Sequence, residues 1–254
     1  MIVCKSPAEL EKMRAANQLV ARILEELAAM VAPGVTTADL DAAAEAKVRA
    51  AGAEPAFKGY RGYPATLCAS VNEQVVHGIP SATPLKSGDI VSLDMGVKLN
   101  GYYGDSAVTV PVGAVGEDVK ALLRVTRQAL EKGIAEVKIG GRISDIGHAI
   151  QAHVEAHGFS VVREFVGHGI GASLHEEPQI ANYGEPGRGP RLAEGMTLAI
   201  EPMVNMGKPA VKVLADGWTA VTKDGSLSAH FEHTVAVTKS GPMVLTARPV
   251  VAGR

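Results

Sequence analysis

Residues 90–110 read IVSLDMGVKLNGYYGDSAVTV, and this stretch decides the fold around the chain's acidic residues. The runs Ile90–Val97 and Ala107–Val110 combine apolar and β-branched residues, which predicts two strands. Asn100-Gly101 between them is the dipeptide that two-residue hairpin turns prefer. The stretch therefore predicts an antiparallel hairpin that carries a carboxylate on each side of its turn.

Several carboxylates stand inside or at the end of apolar, strand-like runs, where a negative charge is unfavourable. Asp94 does so in the hairpin, and Glu201 and Glu232 do so in two later runs. A buried carboxylate without a partner must take up a proton or bind a cation. Neighbouring antiparallel strands can bring Asp105 close to Asp94, and His168 lies between glycines that permit close approach. These five residues predict one common site.

A site of four carboxylates and one imidazole is rich in oxygen ligands. Such a set suits two adjacent divalent ions, and it favours Mn, Fe, Co or Zn over a thiolate-type structural zinc. The sequence therefore predicts a two-metal centre. On chemistry alone, hydrolysis of a peptide and hydrolysis of a phosphate ester both stay open at this point.

The composition of the 254-residue chain excludes several classes of protein. A net charge of −2 with mixed charges argues against a protein that coats nucleic acid or a membrane surface. No apolar run is long enough to span a bilayer, and the first residues lack the apolar segment of a secretory signal. The two cysteines, Cys4 and Cys68, form no disulfide framework. We therefore expect a cytoplasmic protein.

The order of predicted helices and strands repeats in the two halves of the chain. A capping box, Ser6-Pro7-Ala8-Glu9, begins the first helix, which ends before Pro33. The second helix begins at Thr37 or Asp39 and ends at Gly52. The other predicted helices are Glu117–Val137 and Ser144–His157, and the other predicted strands are Leu67–Val71, Ser160–Val166, Met196–Val204, Ala210–Val213 and Thr234–Thr238.

Individual residues also match between the halves, at a nearly constant offset. The matched pairs include Gly34 with Gly140, Asp39 with Asp145, Gly52 with Gly158, and Asp94 with Glu201. A duplicated helix–helix–strand unit explains these matches. We expect a single α+β catalytic domain over residues 1–254, with internal halves of roughly 8–112 and 115–240 around a central antiparallel sheet. Asp94 and Glu201 are then equivalent positions that face one site.

Other histidines fall into two groups. His148, His153 and His157 lie on a predicted helix, and no Glu accompanies them in the HExxH arrangement of a zinc site, so we expect a solvent-facing surface there. His230 and His233 flank Glu232, and we expect both to be ordinary strand residues rather than partners of the ligands. His77 and His175 differ, because each lies in a loop punctuated by glycine or proline, where functional residues concentrate.

Blocks around the expected ligands follow a known pattern in order, spacing and residue type. They resemble the type I methionine aminopeptidases over essentially the whole chain, in the short bacterial form. This resemblance implies the pita-bread fold, a pseudo-twofold α+β body that agrees with the repeat above. The blocks are His77-Gly78-Ile79-Pro80, Asp94 with Asn100 to Asp105, Gly167 to Gly171, His175-Glu176-Glu177-Pro178, Ile200-Glu201-Pro202 and Phe231-Glu232-His233-Thr234.

The resemblance implies a role for each ligand. Asp94 would bind one metal ion, Asp105 and Glu232 would bridge both ions, and His168 and Glu201 would complete the other. The family uses divalent ions such as Co, Mn, Fe, Zn or Ni. Glu201 would in addition transfer a proton toward the leaving amine.

The resemblance also implies residues that contact the substrate. His175 would stabilise the developing oxyanion, and His77 would lie near the scissile amide. Leu174 and Phe57 depart from residues frequent in the family, which affects the shape of the methionine pocket. The expected pocket residues are Tyr60, Tyr63, Cys68, Leu174 and Trp218.

The implied activity is removal of the N-terminal methionine from nascent proteins and peptides, with a preference for a small second residue. The resemblance implies a monomer that contacts the ribosome transiently and has no nucleic-acid substrate. Two alternatives share the fold. One is an X-Pro aminopeptidase or prolidase-like peptidase, although those carry a large N-terminal domain. The other is a non-catalytic binding protein, although all five expected ligands are present.

Overall fold

The structure is a computed structural model that describes residues 1–247. Within these residues the α-helices form two successive pairs. The first pair is α1 (Pro7–Met30) and α2 (Thr37–Ala50), and the second is α3 (Glu117–Ala135) and α4 (Ile143–Ala156). All four lie within two residues of the predicted boundaries.

The capping box predicted for α1 is confirmed. The Ser6 hydroxyl accepts a hydrogen bond from the Glu9 backbone N–H at 3.4 Å, and the Glu9 carboxylate accepts one from the Ser6 N–H at 2.8 Å. These two bonds satisfy donors that a helix start otherwise leaves free. The same reciprocal arrangement joins Thr36 and Asp39 at the start of α2.

Short strands make up the rest of the regular structure, and every strand pair is antiparallel. The strands are β1 (Glu54–Pro55), β2 (Leu67–Val71), β3 (Gln74–Val76), β4 (Ile90–Leu99), β5 (Tyr102–Pro111), β6 (Ser160–Val161), β7 (Gly167–Gly169), β8 (Glu176–Ile180), β9 (Thr197–Ile200), β10 (Met203–Asn205), β11 (Val211–Val213), β12 (Ala220–Thr222), β13 (Ser228–His230), β14 (Glu232–Thr238) and β15 (Gly241–Val244).

The large sheet has the strand order β1-β4-β5-β14-β9-β7-β8, with β2 beside β4 and β15 beside β14. Strands β5 and β14 therefore form its centre, and β4 and β9 lie one position out on either side. Asp94 is on β4, Asp105 on β5, Glu201 directly after β9, and Glu232 at the start of β14. The predicted α+β fold with a central antiparallel sheet is confirmed.

The predicted hairpin is also confirmed, and its strands are longer than expected. Strands β4 and β5 pair over their full lengths around a turn at Asn100-Gly101, where both residues have positive φ. Asp105 lies opposite Gly96, so it stands diagonal to Asp94 on the neighbouring strand. With a side-chain period of two, both carboxylates point to the same face of the sheet.

Each helix pair covers its own part of the sheet with its own hydrophobic core. Leu27 of α1 and Leu40 of α2 are fully buried with Leu93 of β4. Ile146 of α4 is fully buried in a second core with Leu198 of β9. No helix among the described residues is long and apolar enough to cross a membrane.

The prediction of one strand over Met196–Val204 is wrong. The structure has two strands there, β9 and β10, which belong to different sheets and are separated by Glu201 and Pro202. Proline has no N–H to donate to a ladder, so a strand is interrupted readily at that residue. The predicted strand Ser160–Val166 is likewise shorter, because only Ser160–Val161 pairs. The interruption leaves Glu201 at the end of a strand, where its side chain reaches beyond the sheet.

Gly104 lets helix α1 lie directly on strand β5. A Cβ at this position would stand 2.8 Å from backbone atoms of both Ala16 and Asn17. The Asn17 side chain accepts a hydrogen bond from the Asp105 N–H at 3.3 Å, so this contact also holds the residue that follows Gly104. Backbone atoms cannot yield as a flexible side chain can, so the contact requires glycine.

We predict that Gly104→Ala lowers the free energy of unfolding by about 1–3 kcal/mol, the usual range for overpacking a tight contact. The displaced β5 should also weaken binding of divalent metal by the protein, because Asp105 moves with it. Urea unfolding of the metal-free protein and a Mn²⁺ titration measure the two effects. A variant as stable as the parent, with unchanged Mn²⁺ affinity, would contradict this account of the α1–β5 contact.

Candidate metal centre and its cavity

Three of the five expected ligands form a tight buried cluster. One ligand atom each from Asp105, His168 and Glu232 can be chosen so that all lie within 4.8 Å of one another. Glu201 joins this cluster, since its Oε1 lies 3.7 Å from Nε2 of His168, whose Nε2 is 3.9 Å from Oδ2 of Asp105. Asp94 lines the same cavity. The structure therefore brings all five residues together.

Backbone contacts fix the strands that carry these side chains. Ser106 donates a hydrogen bond from its hydroxyl to the Glu232 carbonyl at 2.7 Å, and Thr234 donates one to the Asp105 carbonyl at 2.9 Å. Asn182 donates from its amide to the Glu201 carbonyl at 3.0 Å. The ligands therefore stand on a rigid frame, which a metal site with defined geometry requires.

His168 is oriented by its own backbone. Its Nδ1 lies 2.8 Å from the Gly169 carbonyl, and a carbonyl can only accept, so Nδ1 carries the proton. Nε2 then presents a lone pair toward the carboxylates, which is the form that binds metal. A Cβ at Gly167 or Gly169 would collide with the carbonyl oxygens of Ala199 or Glu177, so only glycine permits the flanking strands to approach this closely.

The acidic residues are buried without compensating cations. Asp94, Asp105 and Glu232 are 9%, 4% and 2% exposed. Burial raises the pKa of Asp94 to about 7. Burial and then the neighbouring Asp94 carboxylate raise the pKa of Asp105 well above its usual range, and burial and then Asp105 do the same for Glu232. Burial also raises the pKa of Glu201 to about 7.

Oxygen atoms of these acids have no hydrogen-bond partner among the described residues. They are Oδ1 of Asp94, Oδ1 of Asp105 and Oε1 of Glu232. A buried, unpartnered polar atom is costly and rare in folded proteins, so each one calls for a ligand. Oxygen-rich donors that share one cavity suit divalent cations such as Mn²⁺, Fe²⁺, Co²⁺ or Zn²⁺. The residues present therefore fit a metal centre.

A row of three neighbouring rings, those of His168, His175 and Tyr60, leads from this centre toward the cavity mouth. The imidazoles of His168 and His175 have centroids 4.2 Å apart, and His175 stacks on Tyr60 at 5.2 Å. The Tyr60 hydroxyl lies 2.9 Å from Nδ1 of His175. Burial, and then the Arg61 charge, lower the pKa of His175 to about 4, so its imidazole is neutral at pH 7.

His77 faces the cavity from another loop. Its backbone has a φ of 60°, an uncommon value for a residue with a side chain. Its ring meets Phe165 and Trp218 edge-on, with centroids 5.5 and 6.3 Å away. Burial, and then the neighbouring His230, lower the pKa of His77 to about 4.

The loop that carries His175 is tied to the start of the chain. Nζ of Lys5 lies 2.5 Å from Oε2 of Glu176, and both side chains are largely buried. The Ser173 N–H donates to the other oxygen of Glu176 at 3.1 Å. Lys5 also donates its backbone N–H to the Gly195 carbonyl at 2.7 Å. The segment before α1 is therefore part of the wall that supports the site.

The apolar end of the cavity is built around Tyr63. Its hydroxyl donates to the carbonyls of Gly78 at 2.9 Å and Leu67 at 3.1 Å, so the ring is fixed on edge against Trp218 at 5.2 Å. Cys68 is buried beside it, and burial raises the pKa of its thiol well above the usual range. A neutral thiol at this position is a small, polarisable wall residue rather than a nucleophile.

All the residues that the sequence singled out for the site line a single cavity of about 160 Å³, together with Phe57 and Arg61. Acidic residues line one part of this cavity, and apolar residues line another part. The predicted residues in it are His77, Asp94, Asp105, His168, His175, Glu201, Glu232, Tyr60, Tyr63, Cys68, Leu174 and Trp218. His148 on α4 and His157 directly after it are exposed, as expected, whereas His153 is half-buried with its Nε2 enclosed, and none of the three lines the cavity.

The expectation that His230 is an ordinary strand residue is wrong. Its Nε2 lies 3.5 Å from Oε2 of Glu201, its side chain is 2% exposed, and neither ring nitrogen has a hydrogen-bond partner among the described residues. His233 fits the expectation, because its Nδ1 pairs with the Thr246 hydroxyl at 2.7 Å. No local pattern indicated this contact, because the partner of His230 is Glu201, which is distant in the sequence.

The raised and lowered pKa values give the metal-free protein a defined pH dependence. Below about pH 6.5, the ordinary pKa of histidine, the buried histidines bind protons less readily in the folded protein than in the unfolded chain. Their effect on the free energy of unfolding is then opposite in sign to that of the carboxylates. Above about pH 6.5 and up to about pH 8.5, the carboxylates are the main groups whose pKa values differ between the folded and the unfolded chain. The folded protein then holds protons that the unfolded chain has released, so stability falls as pH rises through the folded-state pKa values.

We predict that the free energy of unfolding of the metal-free protein falls by a few kcal/mol between about pH 6.5 and pH 8.5. Urea unfolding in the presence of a chelator measures this change. Saturating Mn²⁺ should abolish it, because the cation replaces the protons. Stability that is constant or rises over this window without metal would contradict the assignment of the raised pKa values.

Comparison with known proteins places the chain in a family. Residues 11–239 match the model of metallopeptidase family M24. A methionine aminopeptidase of Bacillus subtilis is 56% identical over 97% of this chain and 99% of that protein, and one of Clostridium perfringens is 52% identical with the same coverage. The crystal structure of the methionine aminopeptidase of Thermotoga maritima superposes with a TM-score of 0.96, at 51% identity, over 98% of this chain and all of that one.

More distant structures share the fold alone. The prolidase of Pyrococcus furiosus superposes with a TM-score of 0.78 at 22% identity, over 97% of this chain and 66% of that one. The neighbours confirm the pita-bread fold, and neither the X-Pro peptidase nor the non-catalytic alternative is favoured by the high-identity relatives. The chain belongs to metallopeptidase family M24, among its methionine aminopeptidases.

Proposed function

We propose that this protein removes the N-terminal methionine from peptides and nascent proteins, with two divalent ions held by the five clustered ligands. The observation that carries the proposal is the two-ended cavity. One part of its lining gathers four carboxylates and an imidazole, and another part is an apolar wall that includes Tyr63, Leu174 and Trp218. A chain end that fills the apolar part presents its first peptide bond to the metal end.

Each ligand has a place in this arrangement. Asp94 would bind one ion, Asp105 and Glu232 would lie between two ions, and His168 and Glu201 would bind the second. The unpartnered carboxylate oxygens support this assignment, because each is free to accept a cation. Bound divalent ions supply a Lewis acid and an activated water. Co, Mn, Fe, Zn and Ni all accept such ligands, and the donor set does not choose among them.

Glu201 is placed to transfer a proton. Its carboxylate keeps 14% of its surface exposed at the cavity, whereas the other acids are more deeply buried. Glu201 would take a proton from the attacking water and deliver it to the leaving amine.

His175 is set up to donate a hydrogen bond to the substrate. When the Tyr60 hydroxyl donates to its Nδ1, the remaining proton of the neutral ring must be on Nε2. Nε2–H then faces the cavity and can stabilise charge that develops on the scissile carbonyl oxygen. His77, neutral at pH 7 and fixed between aromatic rings, would bind the amide next to the cleaved bond.

The apolar end would hold the methionine side chain. Tyr63, Leu174 and Trp218 would provide the wall of this pocket. The Cys68 thiol would lie beside the thioether of the substrate methionine, where a weakly polar group is suitable. Phe57 lines the same cavity and packs against Tyr63 and Cys68. The confined cavity favours a small second residue. We further propose that residues 1–254 act as one catalytic domain, monomeric and cytoplasmic, on chains that emerge from ribosomes.

We predict that Mn²⁺- or Co²⁺-loaded protein cleaves Met-Ala-Ser much faster than Ala-Pro peptides. Glu201→Gln should lower kcat by about 10²–10⁴-fold, the usual contribution of a positioned general base, while the protein stays folded. Liquid chromatography of released methionine measures the rate, and circular dichroism checks the fold.

Two results would contradict the proposal. Faster turnover of Ala-Pro than of Met-Ala-Ser would favour an X-Pro peptidase. A folded protein that binds these metals but cleaves no peptide from a Met-X panel would favour a binding protein. Wild-type kcat in Glu201→Gln would leave the peptidase assignment in place and remove Glu201 from the proton transfer.

His230 would hold the Glu201 carboxylate in its working orientation. Its Nε2 is the polar atom beside Oε2, while Oε1 faces His168. We predict that His230→Leu, which fills similar space without a donor, lowers kcat and Mn²⁺ affinity by about 10–100-fold, as loss of a partner of a metal ligand does. His230→Gln, which keeps a donor, should stay within a few-fold of the parent.

The control for His230 is His233→Gln, a half-buried histidine bonded to Thr246 instead of to a ligand. Calorimetric Mn²⁺ titration, kcat and urea unfolding of each metal-free variant separate positioning from stability. If His230→Leu is less stable but binds Mn²⁺ like the parent, the residue is structural only. If His230→Gln lowers kcat and Mn²⁺ affinity as much as His230→Leu does, a hydrogen-bond donor at this position is not what orients Glu201.

A further inference from the structure

Arg61 is a positive charge at the mouth of an otherwise acidic cavity. Among the cavity-lining residues of the described chain, it is the one that is permanently cationic. It is exposed, and within residues 1–247 its guanidinium forms neither an ion pair nor a hydrogen bond. The proposed function gives this residue no contact with the substrate, and its charge only adds to the effect of burial that keeps His175 neutral.

The backbone presents Arg61 at this place at a cost. Its φ of 50° and ψ of 21° are left-handed, which is unfavourable for a residue with a side chain. Hydrogen bonds close the loop around it, from the Gly59 N–H to the Tyr63 carbonyl at 2.8 Å and from the Tyr63 N–H to the Tyr60 carbonyl at 3.0 Å. Strained positions of this kind concentrate at functional sites.

A contact with the Tyr60 ring also restricts the side chain of Arg61. Its Cζ lies 5.4 Å from the centroid of the Tyr60 ring, a cation–π contact that limits where the guanidinium can go. Tyr60 in turn stacks on His175, and the His175 ring lies tilted against that of His168. Arg61 therefore stands at the outer end of the ring row whose inner end is a metal ligand, with its charge toward solvent at the opening.

The contacts between neighbouring members of this row measure 4.2, 5.2 and 5.4 Å, so the row from His168 to the Arg61 guanidinium is at most as long as about four residues of extended peptide, at about 3.4 Å each. A substrate held by its first residue at the metal centre therefore has its third or fourth residue alongside the outer part of the row. We propose that Arg61 forms a subsite for an acidic side chain at these positions, so that Met-X chains followed by Asp or Glu are preferred substrates. This inference rests on the proposed function and specifies its substrate class.

The test uses amidated peptides Met-Ala-Asp-Ser, Met-Ala-Asn-Ser and Met-Ala-Lys-Ser, so that no terminal carboxylate competes. For the Mn²⁺-loaded full chain we expect kcat/KM to be about three- to fivefold higher for the Asp than for the Lys peptide, as an exposed ion pair allows. The difference should lie in KM, and 0.5 M salt should reduce it.

Arg61→Glu should reverse the order of the Asp and Lys peptides and leave the neutral Asn peptide within about twofold. Arg61→Lys should keep a weaker preference for Asp. The control is Arg188→Glu, an exposed arginine outside the cavity that makes the same change in net charge. It should keep the order seen in the parent.

The outcomes separate this inference from the proposed function. Equal kcat/KM for the Asp and Lys peptides in the parent and in Arg61→Glu overturns the subsite while methionine removal stands. The same shift in Arg188→Glu as in Arg61→Glu also overturns it, because net charge alone would then explain the preference. No cleavage of any of the three peptides contradicts the proposed function itself.

Discussion

Mutual repulsion among buried carboxylates is the constraint on which this structure depends. Asp94, Asp105 and Glu232 are almost fully enclosed, and Glu201 is close to them. In a low-dielectric interior such charges stay together only as protonated acids or around cations. The fold must therefore supply enough hydrophobic burial elsewhere to keep them in place. The two separate cores under the helix pairs provide it, one on each side of the acidic cluster.

The sheet turns this constraint into geometry. Strands β5 and β14 meet at the centre and carry Asp105 and Glu232, while β4 and β9 flank them with Asp94 and Glu201. A one-residue change of register would turn an acid to the opposite face of the sheet. The side-chain to backbone bonds of Ser106 and Thr234 resist such a slip. The relative positions of the four acids therefore depend on the register of four strands, two from each half of the chain.

Much of this could be predicted from the sequence, because the relevant signals are local. A few consecutive residues are enough to recognise the Asn100-Gly101 turn, the capping box at Ser6 and the acids within apolar runs. The break at Pro202 was missed because the apolar run continues across it. Arg61 and His230 were missed because their significance lies in distant neighbours, Tyr60 with its ring row and Glu201, which no local pattern reveals. Residues that act through a partner require the fold to be known.

The buried Lys5–Glu176 pair has a practical consequence for work with this protein. It joins the segment before α1 to the loop that holds Leu174 and His175. Met1 itself is fully exposed, so a fusion partner can leave the surface there, but only a few residues separate it from the pair. A bulky tag without a spacer would pull on the wall of the methionine pocket. Recombinant protein for kinetic work should carry a flexible linker there, or have the tag removed.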